Sequence, residues 1–247
     1  SGQRMNNTYL RIGGLAADVT PKFLDDLREF LAYFQEKALP ELHKLLTDNP
    51  IWKARTQGIG VLTLQDVYNY CLTGPVARGS GHDWDLRRDA PYLVYERFDF
   101  RVPVYTEGDS YARYLVRMEE MAEAAKIIEQ ALAQLPSGPV LADEAKFIPP
   151  PKDKIYESIE SLIHHFKITA EGMRIPPGEA YAAVEAPKGE LGFYVVSTGE
   201  GRPYRVRIRP GTFINLQAIE KMAPGHMVAD VITLIGTLDI VLGEIDR

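Results

Sequence analysis

From Asp109 onward, apolar residues recur in alternating steps of three and four at Tyr111, Leu115, Met118, Ala122, Ala125, Ile128 and Leu132. That spacing predicts a long helix packed in a bundle, with Gly138-Pro139 just beyond its end. Thr20-Pro21 reads as an N-cap followed by proline at the first helical position. It opens a helix predicted to run to about Thr47, bent near Pro40, with Phe23, Leu27, Phe30, Leu31 and Phe34 on its apolar face. A short helix is expected after Thr63, with Asp66 as capping-box partner, ending before Gly74-Pro75 and carrying Cys71 in a buried position. Another is expected over Asp153 to Thr169, burying Ile155, Ile159, Leu162, Ile163 and Phe166.

Three runs with strand propensity follow, Glu179 to Glu185, Glu190 to Ser197 and Pro203 to Arg209, joined by Pro187-Lys188-Gly189 and Gly199-Glu200-Gly201. They predict a small antiparallel sheet. A last helix is expected from about Met227 to Gly236. Between Gly74 and Asp109 the chain is rich in Gly, Pro, Asp and Arg, so it reads as mostly irregular apart from a strand-like run at Tyr95 to Val102. The fold class is therefore mostly α with a small antiparallel β region (α+β), and residues 1–247 read as a single domain.

Composition narrows the function classes. With 45% apolar and 25% charged residues among 247, the chain is globular in character. The formal charge of −6 is spread without long runs of one sign, which argues against a nucleic-acid partner. The single cysteine, Cys71, supports neither an internal disulfide nor a thiolate metal cluster and fits a reducing compartment. The most apolar stretch, Met227 to Leu242, is interrupted by Asp230, Thr233, Thr237 and Asp239, so membrane association is expected to come through partners. The start, Ser1-Gly2-Gln3-Arg4, suggests that upstream sequence is missing.

Generic catalytic signatures are weak. His164 and His165 are neighbours on a helix and point about 100° apart, a poor arrangement for one metal. His226 and Asp230 share a predicted helix face, and Cys71 has no evident base beside it. The glycine-rich pieces Arg78-Gly79-Ser80-Gly81 and Gly199-Glu200-Gly201 lack the strand–turn–helix context of a dinucleotide site, so NADH is not expected to bind this chain. The run His82-Asp83-Trp84-Asp85 lies near Arg78, Arg87 and Arg88, a set able to form an ion-pair network or to contact a partner.

A series of segments, in order, carries more information: Gln3-Arg4-Met5 and Tyr9-Leu10-Arg11-Ile12-Gly13-Gly14; Arg78-Gly79-Ser80-Gly81, Trp84-Asp85-Leu86-Arg87 and Gly108-Asp109. Stronger ones follow in Ser161-Leu162-Ile163-His164-His165-Phe166-Lys167, Glu185-Ala186-Pro187-Lys188-Gly189-Glu190-Leu191-Gly192, Arg202-Pro203-Tyr204-Arg205 and Gly243-Glu244-Ile245-Asp246-Arg247. Together they resemble the C-terminal portion of the quinone-site subunit of respiratory complex I, a proton-pumping NADH:quinone oxidoreductase. The resemblance implies a helix bundle like that of nickel–iron hydrogenase large subunits. Hydrogenases hold their metals with paired CxxC motifs, and the comparable terminal stretch here places Val241 and Glu244 where thiolates would stand. Nickel is therefore not expected on this chain.

The resemblance further implies a quinone cavity, with quinone as substrate, beside an iron–sulfur cluster held by a small partner subunit. Val241 and Leu242 would contribute an apolar wall of that cavity. Arg4 and Asn6 would lie near the cluster; many relatives have histidine at the position of Asn6, and a neutral asparagine would leave cluster reduction less coupled to proton uptake. The family's headgroup ligands, a histidine and a tyrosine, are expected upstream of residue 1, so the chain alone is expected to be inactive. Other peripheral-arm and membrane subunits are implied as partners, on the cytoplasmic face of the membrane. The rivals are a hydrogenase-like electron-transfer subunit without nickel and a purely structural interaction domain.

Overall fold

The computed structural model describes residues 8–144 and 147–246. In chain order the elements are β1 (Leu10–Arg11), β2 (Gly14–Leu15), α1 (Pro21–Tyr33), α2 (Leu39–Leu42), α3 (Pro50–Thr56), α4 (Leu64–Asn69), α5 (Pro75–Arg78), α6 (Leu86–Asp89) and α7 (Ser110–Ala133). They continue with α8 (Lys152–Glu157), α9 (Ile159–Phe166), β3 (Gly178–Ala186), β4 (Gly189–Ser197), β5 (Arg205–Arg209), α10 (Gly211–Leu216), α11 (Ile219–Met222), α12 (Val228–Leu238) and α13 (Leu242–Ile245). The strands form two sheets, β1-β2 and β3-β4-β5, and the α+β expectation holds.

The chain divides into two compact units. One contains the residues up to Asp26, Leu135–Ala180 and Tyr194–Val206. Here β1 pairs antiparallel with β2, Leu10 opposite Leu15, and Gly14 bridges to Leu141. The helix expected over Asp153 to Thr169 is broken at Ser158, which leaves helical geometry to cap α9 by accepting from Ser161 N at 3.4 Å. Its expected buried stripe is not buried. Ile159, Leu162, Ile163 and Phe166 are exposed, and only Ile155 is partly covered.

The other unit contains Leu27–Gln134, Tyr181–Phe193 and Arg207–Arg247. Helix α7 is its spine, capped by Asp109, whose Oδ1 accepts from Ala112 N at 2.7 Å while Oδ2 accepts from Gly58 N at 2.8 Å. α3, α5 and α12 pack against α7. The core gathers Leu62, Val67, Leu72, Val76, Ala77, Ala218, Met222, Leu234 and Leu238, drawn from short helices and the loops between them. The Thr63–Asp66 capping box forms as expected.

Several expectations are corrected. Cys71 lies beyond α4, exposed, at a positive φ of 53°, because the helix ends at Asn69. Tyr95 to Val102 makes no strand: Tyr95 packs edge-on against Phe98 and Phe100, and aromatic contacts replace a ladder. The face of α7 buried in this unit includes Ala112, Arg113, Val116, Met118, Glu123, Ala125 and Ile127, shifted from the apolar stripe so that two charged residues are enclosed and Ile128 is exposed. Of the apolar positions expected on the first helix, only Leu31 is fully buried; the helical path nevertheless continues to Thr47 through wider turns at Phe34–Ala38 and His43–Thr47, on either side of Pro40. α3, α10 and α11 are not legible as helices in the sequence, being short and free of a clear period.

Candidate functional site

The site begins with two glycines. Gly74 sits at φ +70°, and a Cβ there would fall 2.4 Å from Gly189 Cα; Gly189, at φ +118°, would place one 2.5 Å from Thr73 Oγ1. Only glycine allows the β3–β4 turn to lie this close to the start of α5. Asn215 of α10 ties the approach together, its Nδ2 donating to Thr73 O at 3.3 Å and Lys188 O at 3.0 Å. Glu190 N donates to Thr73 Oγ1 at 3.1 Å. This contact delivers Glu185, at the end of β3, onto Arg78 at the end of α5.

Arg78 is 1% exposed and is the hub of a buried charge cluster. Its Nε donates to Glu120 Oε1 at 2.9 Å, its Nη1 to Glu185 Oε1 at 2.9 Å and to Trp84 O at 3.0 Å, and Asp85 Oδ2 lies 3.6 Å away. Asp85 caps α6 and is claimed by Arg87, whose Nη2 donates to Oδ2 at 2.6 Å and Nε to Oδ1 at 3.0 Å. The Arg87 guanidinium also stacks over the Phe100 ring, 5.2 Å from its centroid. Charge-assisted pairs of this kind are what a buried ion requires.

The electrostatics divide the acids. Burial works to raise Asp85, but hydrogen bonds and charge from Arg87, with the charge of Arg78, hold its carboxyl below the usual range. Burial raises both Glu120 and Glu185, and the opposing charge of Arg78, shared between them, does not offset it. Arg78 stays firmly protonated, the three acids outweighing its desolvation.

A cavity of about 380 Å³ opens beside the cluster, with Arg78, Arg87, Arg117, Glu120, Glu185 and Asp239 supplying its charge and Met121, Ala124, Ala186 and Pro187 its apolar wall. Asp239 ends α12 in the left-handed conformation, φ 55° and ψ 57°, 3.2 Å from Lys188 Nζ. Arg117 Nη2 donates to Thr237 O at 2.7 Å and so fixes the turn that presents Asp239. One turn earlier on α7, Arg113 is fully buried among neutral acceptors: Gly108 O, Gly60 O and Ser110 Oγ. Burial, then the like charge of Arg117, pushes its guanidinium down to about 9, still protonated at neutral pH. The other unit holds a depression of about 450 Å³ near Phe147 and His164, but its charged residues, Lys167, Glu171 and Arg174, are exposed.

The candidates from sequence fare differently. The ion-pair network around Arg78, Arg87, Arg88 and Asp85 forms, with Arg88 pairing outward to Asp83 and Asp89. His226 and Asp230 do not pair: His226 Nε2 accepts from Gly60 N at 3.3 Å, while Asp230 meets Arg55 at 2.6 Å and caps α12 through Met227 N. Val241 and Leu242 follow Asp239 on the surface, 38% and 72% exposed, and are not among the residues lining the charged cavity. Glu244 accepts from Thr212 N at 3.0 Å and docks α13 on α10. Arg4 and Asn6 lie outside the described residues. Sequence reasoning missed Arg117 and Glu120, although Arg113, Arg117 and Glu120 stand at steps of four and three on α7, a charged stripe at helical spacing.

Similarity to known proteins covers the whole chain. The family profile described as "Respiratory-chain NADH dehydrogenase, 49 Kd subunit" matches residues 1–247. A protein of Geotalea uraniireducens (strain Rf4), named as the D subunit of NADH-quinone oxidoreductase, is 56% identical over 247 residues, all of this chain and 63% of the relative. Proteins of the same name from Geobacter sulfurreducens and Anaplasma phagocytophilum are 56% and 53% identical, with 63% and 62% of their lengths matched. The chain thus spans somewhat less than two thirds of these relatives. With its full length matched by the profile, it belongs to the family of 49 Kd subunits of respiratory-chain NADH dehydrogenase.

Proposed function

We propose that the chain is a peripheral-arm subunit of a proton-pumping NADH:quinone oxidoreductase and forms part of its quinone-reduction cavity, beside an iron–sulfur cluster held by a small partner subunit. The segment Asp239–Leu242 carries the reading. Asp239 lines the charged cavity, and the next turn presents Val241 and Leu242 as an exposed apolar pair. A quinone has the same polarity: a polar headgroup bearing two carbonyls, and an apolar ring edge and tail.

Reduction to quinol consumes two electrons and two protons. In this reading the electrons arrive from the partner's cluster, and the single cysteine of the 247 residues fits that division, being too few thiolates for a cluster within them. Buried carboxylates and guanidiniums beside the cavity fit the handling of protons and developing charge. Among the described residues no helix is long and apolar enough to cross a membrane. In this reading the chain is held at the cytoplasmic face of the membrane through other peripheral-arm and membrane subunits.

The test is kinetic, in the assembled complex. Val241→Glu and Leu242→Glu put a charge on the apolar wall and are expected to raise the KM for quinone about tenfold or more, the equivalent of ~1.4 kcal/mol of lost binding. Electron flow to a water-soluble acceptor that bypasses quinone stays intact. Wild-type quinone kinetics in both variants would remove these residues from the cavity wall.

A further inference from the structure

Three carboxylates converge on Arg78, and their contacts are unequal. Both oxygens of Asp85 are taken by Arg87. Glu185 has Oε1 on Arg78 and Oε2 accepting from Leu86 N at 3.3 Å, with its side chain 5% exposed. Glu120 differs: Arg78 Nε at 2.9 Å and Nη2 at 2.7 Å both fall on Oε1, and among the described residues nothing donates to Oε2. Its side chain is 18% exposed and lines the 380 Å³ cavity.

We propose that Glu120 is the carboxylate through which this cavity exchanges a proton. Resting on the quinone reading above, it is then the group that meets the proton demand of quinone reduction from this side of the cavity. The other two carboxylates that meet Arg78, Asp85 and Glu185, have both oxygens engaged. Arg78 and Arg87, from α5 and α6, are fixed by Asp85, Glu185 and Glu120 itself. Arg117, one turn back on α7, spends its Nη groups on Arg113 O and Thr237 O and leaves only Nε, a donor that cannot accept a proton, without a partner. Asp239, beyond α12, meets Lys188 of the β3–β4 turn through Oδ2 alone at 3.2 Å and has a side chain 40% exposed, so it is a solvent-facing acid without the burial or the Arg78 contact of Glu120. Glu185 faces the same guanidinium from β3 but has no free oxygen.

A proton on Glu120 Oε2 sits on an unshared oxygen and leaves Arg78 to Glu185 and Asp85. Its release breaks the Oε2–H bond, passes the proton to an oxygen of the reduced quinone and leaves a carboxylate already hydrogen-bonded to Arg78; a proton relayed from bulk solvent through water in the cavity re-forms the O–H bond. Burial, which raises the Glu120 carboxyl against the charges of Arg78, Arg87 and Arg117, favours the protonated form at higher pH than for a free glutamate.

The experiment is pH-difference infrared spectroscopy of the intact assembly with isotope-labelled glutamate, comparing wild type, Glu120→Gln, Glu120→Asp and Glu185→Gln. The expected result is a protonated-glutamate carbonyl band that titrates above the ordinary carboxylate range. It is lost in Glu120→Gln, loses its label shift in Glu120→Asp and persists in Glu185→Gln. Absence of the band from wild type, or its survival in Glu120→Gln, overturns the assignment. The pH profile of quinone reduction is read separately: a band assigned to Glu120 together with a wild-type profile in Glu120→Gln upholds the proton site and removes its link to quinone.

Discussion

Replacing Arg78 by methionine keeps most of the side-chain volume and deletes the charge on which the cluster depends. In the native chain Arg78 is 1% exposed and makes close contacts to Glu120 and Glu185 and a hydrogen bond to Trp84 O. The variant leaves two carboxylates, 18% and 5% exposed, without a cation in contact, because Arg87 is held by Asp85. Removing one partner of a buried pair costs about 3–5 kcal/mol, a large part of the ~5–15 kcal/mol that typically holds a domain together. The penalty depends on pH with a definite sign. Burial already raises Glu120 and Glu185 in the native chain, and without Arg78 they rise further. An acid whose folded value lies above its unfolded one binds protons more tightly in the native state. Its stabilising effect is present below the unfolded value and is lost as pH rises through the folded one. Asp85, held low, behaves oppositely and costs wild type stability as pH falls. Urea unfolding should therefore show the two proteins far apart near about pH 7 and converging toward about pH 4. A difference below about 1 kcal/mol at neutral pH, or one that does not change with pH, would refute the reasoning, since it would match an exposed ion pair. Arg78→Lys should fall between the two, because one ammonium cannot span contacts made by a fork.

Other substitutions probe the frame that carries the cluster. Gly189→Ala forces a Cβ to 2.5 Å from Thr73 Oγ1 and 2.7 Å from Thr73 C at a positive φ, and is expected to lower stability by about 1–3 kcal/mol and loosen the β3–β4 turn; hydrogen exchange at Glu190 N reports it. Thr63→Ala deletes the capping box of α4 and should cost ~1 kcal/mol in urea unfolding, with Thr63→Ser restoring most of it.

Much of the architecture is legible in the sequence because local rules and tertiary packing agree there. The three-four spacing from Asp109 onward predicted α7; the Thr63–Asp66 box predicted the start of α4; three runs of strand propensity joined by two turn motifs predicted the second sheet. Failures cluster where the period is real but the packing differs. Ile159, Leu162, Ile163 and Phe166 lie on one stripe of α9 that this chain leaves exposed, and the buried face of α7 encloses Arg113 and Glu123, which no apolar pattern selects. The candidate site was half visible. Arg78, Asp85, Arg87 and Glu185 lie within recognisable motifs, but their convergence depends on two glycines bringing β3–β4 against α5 over a separation of more than a hundred residues. Glu120 and Arg117 belong to no motif, and they line the cavity only because residues of α5, the β3–β4 turn and the end of α12 gather beside α7.

The most direct test of the proposed quinone cavity is photoaffinity labelling of the assembled complex with a quinone analogue, followed by peptide mapping. The expected result is label within the segment from Asp239 to Asp246, centred on Val241 and Leu242 and competed away by native quinone. Efficient, competable labelling elsewhere in the complex with none in this segment would contradict the account and leave the chain a structural subunit.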